Sequence, residues 1–319
     1  MRSGHGSWPG LVIETGIRRE TMKHLFLAAC LLTPGLAFAQ AGGTLQKIKE
    51  TGTIVIGVRD SSVPFSYLDD KQKPVGYSID LCMKVVDAVK AELKLSALKV
   101  EMNPVTSATR IPLMANGTID IECGSTTNNA DRQKQVSFGP TYFLTASAFV
   151  AKKDAKLANI DDLKGKTVVS TAGTTNIVQL NKANVDRKLG INVLSAKDHA
   201  EAFLMVETGR AAAFVMDDVL LASLVASSKE PASYALGKEA FSQPEPYGPM
   251  IRKDDPAFKA VVDKAIGAAF ASEGPAIYKK WFETAVPPRG INLSLPMSPA
   301  LQKAYKAPSD NPDPAHYGS

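Results

Sequence analysis

Apolar residues in this chain keep two rhythms. The run Thr53-Ile-Val-Ile-Gly-Val58 is continuous and β-branched, bounded by Gly52 and Arg59, and predicts a buried strand. From Ser78 to Leu93 the apolar positions Ile79, Cys82, Val86, Val89 and Leu93 recur every three to four residues, with Asp80, Lys84, Asp87 and Lys90 between them, which predicts an amphipathic helix. A strand over 99–105, a short helix over 107–114 and a strand over 119–123 follow. The order then recurs as strand 166–170, helix 174–184, strand 191–194, helix 198–208 and strand 212–217. Leu113-Met-Ala-Asn-Gly117 before Ile119-Asp-Ile121 is echoed by Leu204-Met-Val-Glu-Thr-Gly209 before Ala212-Ala-Phe-Val215. Alternation of this kind predicts parallel βαβ units, here in two α/β lobes of similar design. Helices over 256–270 and 275–282 each carry Pro at a first helical position. Beyond Pro287, proline, serine and aspartate dominate, and 306–319 is expected to be a disordered tail.

The start of the chain reads as an address. Residues 22–39, MKHLFLAACLLTPGLAFA, join a short polar n-region to an apolar stretch and a small-x-small site at Ala37-Phe-Ala39, as in a secretory signal peptide. Residues 1–21 lack any apolar pattern, so Met22 reads as the true start and 1–21 as an over-extension. Leu27-Ala-Ala-Cys30 offers a lipid anchor on Cys30 as the alternative, although the apolar stretch before Cys30 is short for it. The expected location is the periplasm. No apolar run reaches the ~18 residues of a membrane span.

Composition narrows the classes further. Of 319 residues, 45% are hydrophobic and 22% charged, enough for sizeable cores and too balanced for a disordered chain. The net charge of +5 comes without a basic stripe interleaved with aromatics, which argues against a nucleic-acid partner. Removing 1–39 lowers that charge to +3 and leaves Cys82 and Cys123 as an even pair in an oxidising compartment. Cys82 lies on the buried stripe of its helix and Cys123 on the inward run Ile119, Ile121, Cys123. A Cys82–Cys123 disulfide and two buried thiols are both open on this pattern; the disulfide is the expectation.

Enzyme signatures are missing. The chain has no HExxH and no GxSxG, and His199 is the one histidine inside the core region, too few for a zinc site. Gly165-Lys-Thr167 fails as a phosphate loop because Ile160 stands where the first glycine belongs and a strand follows. Cations and hydroxyls instead gather at strand ends, where open α/β sheets bind ligands. Arg59 ends the first strand, Ser107 and Arg110 follow the second, and Cys123-Gly-Ser-Thr-Thr127 with Arg132 follows the third. In the second lobe the corresponding groups are Gly173-Thr-Thr175, His199 and Asp217-Asp218. Each alone could be a solvated residue or a helix cap; together they point to a cleft between lobes.

Gly76-Tyr-Ser-Ile-Asp-Leu81, Asn116-Gly-Thr-Ile-Asp120, Cys123-Gly-Ser-Thr-Thr-Asn128 with Arg132, and Lys279-Lys-Trp-Phe282 resemble the periplasmic amino-acid-binding proteins of ABC importers. Arg59 before Ser61-Ser-Val-Pro-Phe65, Ser195-Ala-Lys-Asp-His199 and Met216-Asp-Asp218 resemble the glutamate/aspartate-binding branch more than the glutamine or basic-amino-acid branches. The resemblance spans about 44–297 and implies the type II two-lobe fold with two hinge crossings. It puts lobe one at 44–141 plus 248–305 and lobe two at 143–246. It further implies a monomer that hands L-glutamate or L-aspartate to an inner-membrane permease, with no cofactor, no metal and no catalysis. Carried over, Arg132, Ser125, Thr127 and Thr175 hold the ligand α-carboxylate, with Thr174 open as a substitute for Thr175. Asp217 takes the α-ammonium, while Arg59, Ser107, Arg110 and His199 take the side-chain carboxylate. Three arginines against one aspartate leave an expected surplus near +2, which favours an acid and keeps the empty cleft open. Two other classes share the fold: a periplasmic dehydratase of cyclohexadienyl acids, and the sensor lobe of a receptor. The first needs a proton donor aimed at the ligand, and the second a membrane span or kinase that does not follow Phe282.

Overall fold

A computed structural model describes residues 42–287 and 290–318 of the chain. The signal segment and Cys30 lie outside those residues. Two five-stranded sheets organise the rest. In the first, Thr53–Val58 lies between Lys99–Pro104 and Ile121–Glu122, parallel to both. In the second, Thr167–Thr171 lies between Asn192–Ala196 and Ala213–Asp217, again parallel to both. Each sheet thus starts in the order second–first–third, with an antiparallel strand beyond the third: Met250–Arg252 in one and Ser147–Lys152 in the other. That antiparallel strand is the one each sheet receives from the chain as it returns or arrives from the other lobe. Val136–Phe138 and Tyr234–Leu236 close the outer edges.

The helices follow from the same patterning. Helix Tyr77–Glu92 buries Ile79, Leu81, Cys82, Val85, Val86 and Val89, and packs on helix Pro256–Ala271. The helix expected over 107–114 begins only at Arg110. Thr106 and Thr109 exchange backbone-to-hydroxyl bonds of 2.9 and 3.2 Å, forming a turn that holds 106–109 outside the helix. Cys82 and Cys123 are joined by a disulfide that ties helix Tyr77–Glu92 to the end of strand Ile121–Glu122, closing 41 residues of chain.

Two antiparallel strands, Phe143–Thr145 and Glu245–Tyr247, form the connection between the lobes. Phe143 and Tyr247 pack there with Phe65 and Phe282, Phe143 lying 4.9 Å between ring centroids from both Phe65 and Phe282. Aromatic edges and faces at such spacing make a stiff anchor behind the crossing.

The expected disorder of 306–319 is overturned for its described part. After helix Pro299–Lys306 the chain runs over the first lobe to a single 3-10 turn, Pro314–Tyr317. Thr141 N donates to Ser309 O at 2.8 Å, Asn128 Nδ2 to Asp310 O at 2.8 Å, and Lys259 pairs with Asp310 at 2.9 Å. Tyr317 is buried and its hydroxyl pairs with Thr141. Polar composition hid these anchors, because the tail is held by backbone carbonyls rather than by an apolar stripe.

Candidate functional site

Arg59 leaves the first strand with its backbone N–H donating to Ser66 Oγ at 2.8 Å, and its side chain turns inward, 2% exposed. Nη2 donates to Ser107 Oγ at 2.9 Å and lies 3.5 Å from His199 Nε2. Arg110, equally buried, opens its short helix and donates through Nη1 to Thr126 Oγ1 at 2.6 Å. Arg132 sits on the turn Ala130–Gln133, whose N-cap Asn129 accepts from Arg132 N. Its guanidinium donates to Thr127 O at 2.8 Å and crosses the cleft to Gly173 O at 3.3 Å. The first lobe therefore carries three buried guanidinium groups and holds each with its own hydroxyls and carbonyls.

The second lobe and the crossing answer with different chemistry. Asp217 ends its strand and accepts from Asn176 Nδ2 at 2.9 Å and from the Tyr247 hydroxyl. His199, at the start of its helix, has Nδ1 2.9 Å from Thr171 Oγ1. A guanidinium only donates, so Nε2 accepts from Arg59 and Nδ1–H donates to Thr171. Thr174 caps helix Thr175–Asp186, accepting from Ile177 N at 3.3 Å and donating to Thr171 O at 2.7 Å. Glu245, on the second crossing strand, accepts from Thr127 of one lobe at 3.2 Å and Thr175 of the other at 3.1 Å, and from Gln179.

Of the nine residues expected to meet the ligand, Ser107, Arg110, Ser125, Thr127, Arg132, Thr175, His199 and Asp217 line one small cavity between the lobes. Arg59 stands behind it, reaching it through Ser107 and His199. Thr174, Asn176 and Met216 complete the lining. A larger, mostly apolar cavity lies at the crossing, with Asp218 as its single carboxylate. The converging charges are in the smaller one. Among the described residues no group of three or more His, Cys, Asp or Glu could hold a metal.

The family model for bacterial extracellular solute-binding proteins, family 3, matches residues 54–284. The chain belongs to this family. It is 54% identical over 286 residues to the L-glutamate/L-aspartate-binding protein of Pseudomonas aeruginosa, covering 89% of this chain and 94% of that one. It is 45% identical over 290 residues to a glutamate/aspartate import solute-binding protein of Escherichia coli, covering 89% and 96%. Among solved structures, an ancestral arginine-binding protein bound to arginine matches with a TM-score of 0.65 at 31% identity, covering 72% of this chain and 98% of that one.

In this solute-binding protein the charge count differs from the expected surplus. Glu122 and Glu245, neither foreseen, join Asp217, so three carboxylates face three arginines and the +2 surplus is corrected to a formal balance. Burial, reinforced by Arg110, pulls Arg59 down to about 10 and Arg132 down to about 9. Burial and then Arg59 and Arg110 push His199 well below its ordinary range, so it is neutral at pH 7. Burial, with Glu245 beside it, raises Asp217 to about 7. Burial also raises Glu245. Thr127 and Thr175 each have one hydroxyl proton, and both are given to Glu245. Ser125 Oγ, by contrast, has no hydrogen-bond partner. Glu122 carried no sequence signal, because it falls between the inward positions Ile121 and Cys123, where alternation reads it as outward. Glu245 carried none, because an acid in a Pro-rich connection reads as solvated.

Proposed function

We propose that this chain captures L-glutamate and L-aspartate in the interlobe cavity and delivers them to the permease of an ABC importer. The carrying observation is the convergence of buried Arg110 and Arg132 on a cavity whose opposite wall holds Asp217. An α-amino dicarboxylate needs two anion sites and one cation site, and a planar guanidinium suits each carboxylate. The names of the relatives agree with this ligand class. In this reading Arg132 and Ser125 hold the α-carboxylate, with Thr127 and Thr175 in its wall. Asp217 takes the ammonium. Arg110, Ser107 and, from behind, Arg59 and His199 serve the side-chain carboxylate.

The lobes are taken as 44–141 with 248–305, and 143–246. The ligand bonds to both and favours the closed arrangement by its differential affinity for it. The protein acts as a monomer, exported to the periplasm by the segment ending at Ala39, with an anchor at Cys30 as the alternative. Calorimetric titration of the chain from Gln40 tests the ligand class. Both acids are expected to bind at least a hundredfold more tightly than glutamine, lysine or leucine, a margin of about 2.7 kcal/mol. Glutamine binding as tightly as both acids would sink the assignment.

A further inference from the structure

We propose that Glu122 is a specificity-determining residue: its carboxylate, set behind Arg110, fixes how strongly the site prefers an acidic side chain to its amide. The inference rests on the acidic-ligand reading above. Glu122 is fully buried on the strand Ile121–Glu122 and does not line the cavity. Its Oε2 accepts from Thr126 Oγ1 at 2.5 Å, and the same hydroxyl accepts from Arg110 Nη1 at 2.6 Å. Its Oε1 has no hydrogen-bond partner and lies 4.0 Å from Arg110 Nη1. Arg110 in turn reaches the cavity wall. Glu122, Thr126, Arg110 and the ligand subsite are thus in series.

The backbone is shaped around this acid. A side chain at Gly124 would bring its Cβ to 2.3 Å from Glu122 Oε1 and 2.9 Å from Arg59 Cγ. Glycine there leaves the carboxylate its place between two arginines. A buried carboxylate with an unpartnered oxygen is costly as a purely structural element, which makes a role in the charge of the site the better account.

That role follows from the counting of charges. When the ligand side chain is a carboxylate, Arg110 has two anions to serve, and Glu122 repels the ligand. When the side chain is an amide, Glu122 is the anion left to Arg110, so no orphan cation is buried. Both effects narrow the gap between acid and amide. Replacing Glu122 with an isosteric neutral group should widen it, since glutamine keeps an acceptor for Thr126 while losing the charge.

The test is a four-protein cycle titrated with glutamate and glutamine: wild type, Glu122→Gln, Arg110→Leu and the double variant, each checked for folding by circular dichroism. In Glu122→Gln the glutamate-to-glutamine affinity ratio is expected to rise at least tenfold. Arg110→Leu leaves Glu122 facing the ligand anion without its counter-ion, so glutamate binding should fall at least a hundredfold. The double variant removes both buried charges and should recover at least tenfold of that loss. This second comparison carries the test if Glu122→Gln alone does not fold. Equal weakening of both ligands in Glu122→Gln, or no recovery in the double variant, overturns the proposal. A wild type that does not bind glutamate overturns the ligand reading instead.

Discussion

The two lobes share a strand order and differ in what they hold at the strand ends. The first presents Arg59, Arg110 and Arg132, each already bonded to a hydroxyl or carbonyl of its own lobe. The second presents Asp217, a neutral His199 and two threonines, and its acid is held partly by Tyr247 of the crossing. The same three-strand order therefore serves as an address system, and the loops decide the charge written at each address. The first lobe is a cationic face whose groups are held in advance by their own lobe. The second carries a buried acid that completes its hydrogen bonds against Tyr247 of the crossing.

The largest expected effect breaks the first face where it meets the second. Arg132 spans the cleft to Gly173 O and is assigned the carboxylate common to every amino acid. Truncating one partner of a buried charge pair costs roughly 2–5 kcal/mol, because the other charge is left unpaired. Arg132→Ala is expected to weaken glutamate, aspartate and any neutral competitor alike by about a hundredfold, measured by calorimetry. A loss confined to the two acids would move Arg132 to the side-chain end.

Arg132, like the other strand-end groups, was legible in the sequence because topology forces loops after parallel strands to one edge. The fold was legible for the same reason: strand and helix periods in Thr53–Val58 and Ser78–Leu93 leave little choice of element. The acids Glu122 and Glu245 were not. An acidic residue carries no pattern of its own, and its burial depends on partners that only the fold brings to it, Arg110 and Thr126 for one, Thr127 and Thr175 for the other. The charge balance of the cleft was misjudged on that account. The tail was missed because backbone carbonyls of Ser309 and Asp310 hold it, and those are invisible to composition.

A smaller effect sharpens the picture of the second face. Asp217 ionises near its ordinary value of about 4 in the unfolded chain and near 7 in the fold, because burial opposes its charge. The stability tied to its neutral form is full below about pH 4 and lost as pH rises to about 7. Above that, the folded protein carries a buried anion, which in the proposed reading the ligand ammonium offsets. Asp217→Asn should therefore weaken glutamate about thirtyfold at pH 8, while raising the ligand-free Tm by about 3 °C or more. That gain should vanish near pH 4. A variant that loses stability at pH 8 would mean Asp217 is a structural acid already matched within the fold.

The smallest effect concerns closure itself, and two glycines of the second lobe isolate it. Gly173 and Gly165 have left-handed φ values of 76° and 68°, so alanine strains the backbone comparably at both. Their surroundings differ. A Cβ at Gly173 would lie 2.6–2.8 Å from backbone atoms of Ser107 and Ala108 in the first lobe, whereas a Cβ at Gly165 meets nothing within 4 Å. The first clash exists only while the lobes are together, since Ser107 and Ala108 leave with their own lobe. Both alanine variants should lose Tm by a similar amount, reflecting about 1–2 kcal/mol of left-handed strain. Only Gly173→Ala should lose affinity, by about tenfold, equally for every ligand, because the closed arrangement is raised and no ligand contact is changed. Small-angle scattering should show less contraction on adding glutamate to Gly173→Ala than to Gly165→Ala. If both variants bind and contract alike, the lobes close without bringing Gly173 onto the loop at Ser107. The cross-cleft bond from Arg132 to Gly173 O would then have to be made in a more open arrangement than the one described.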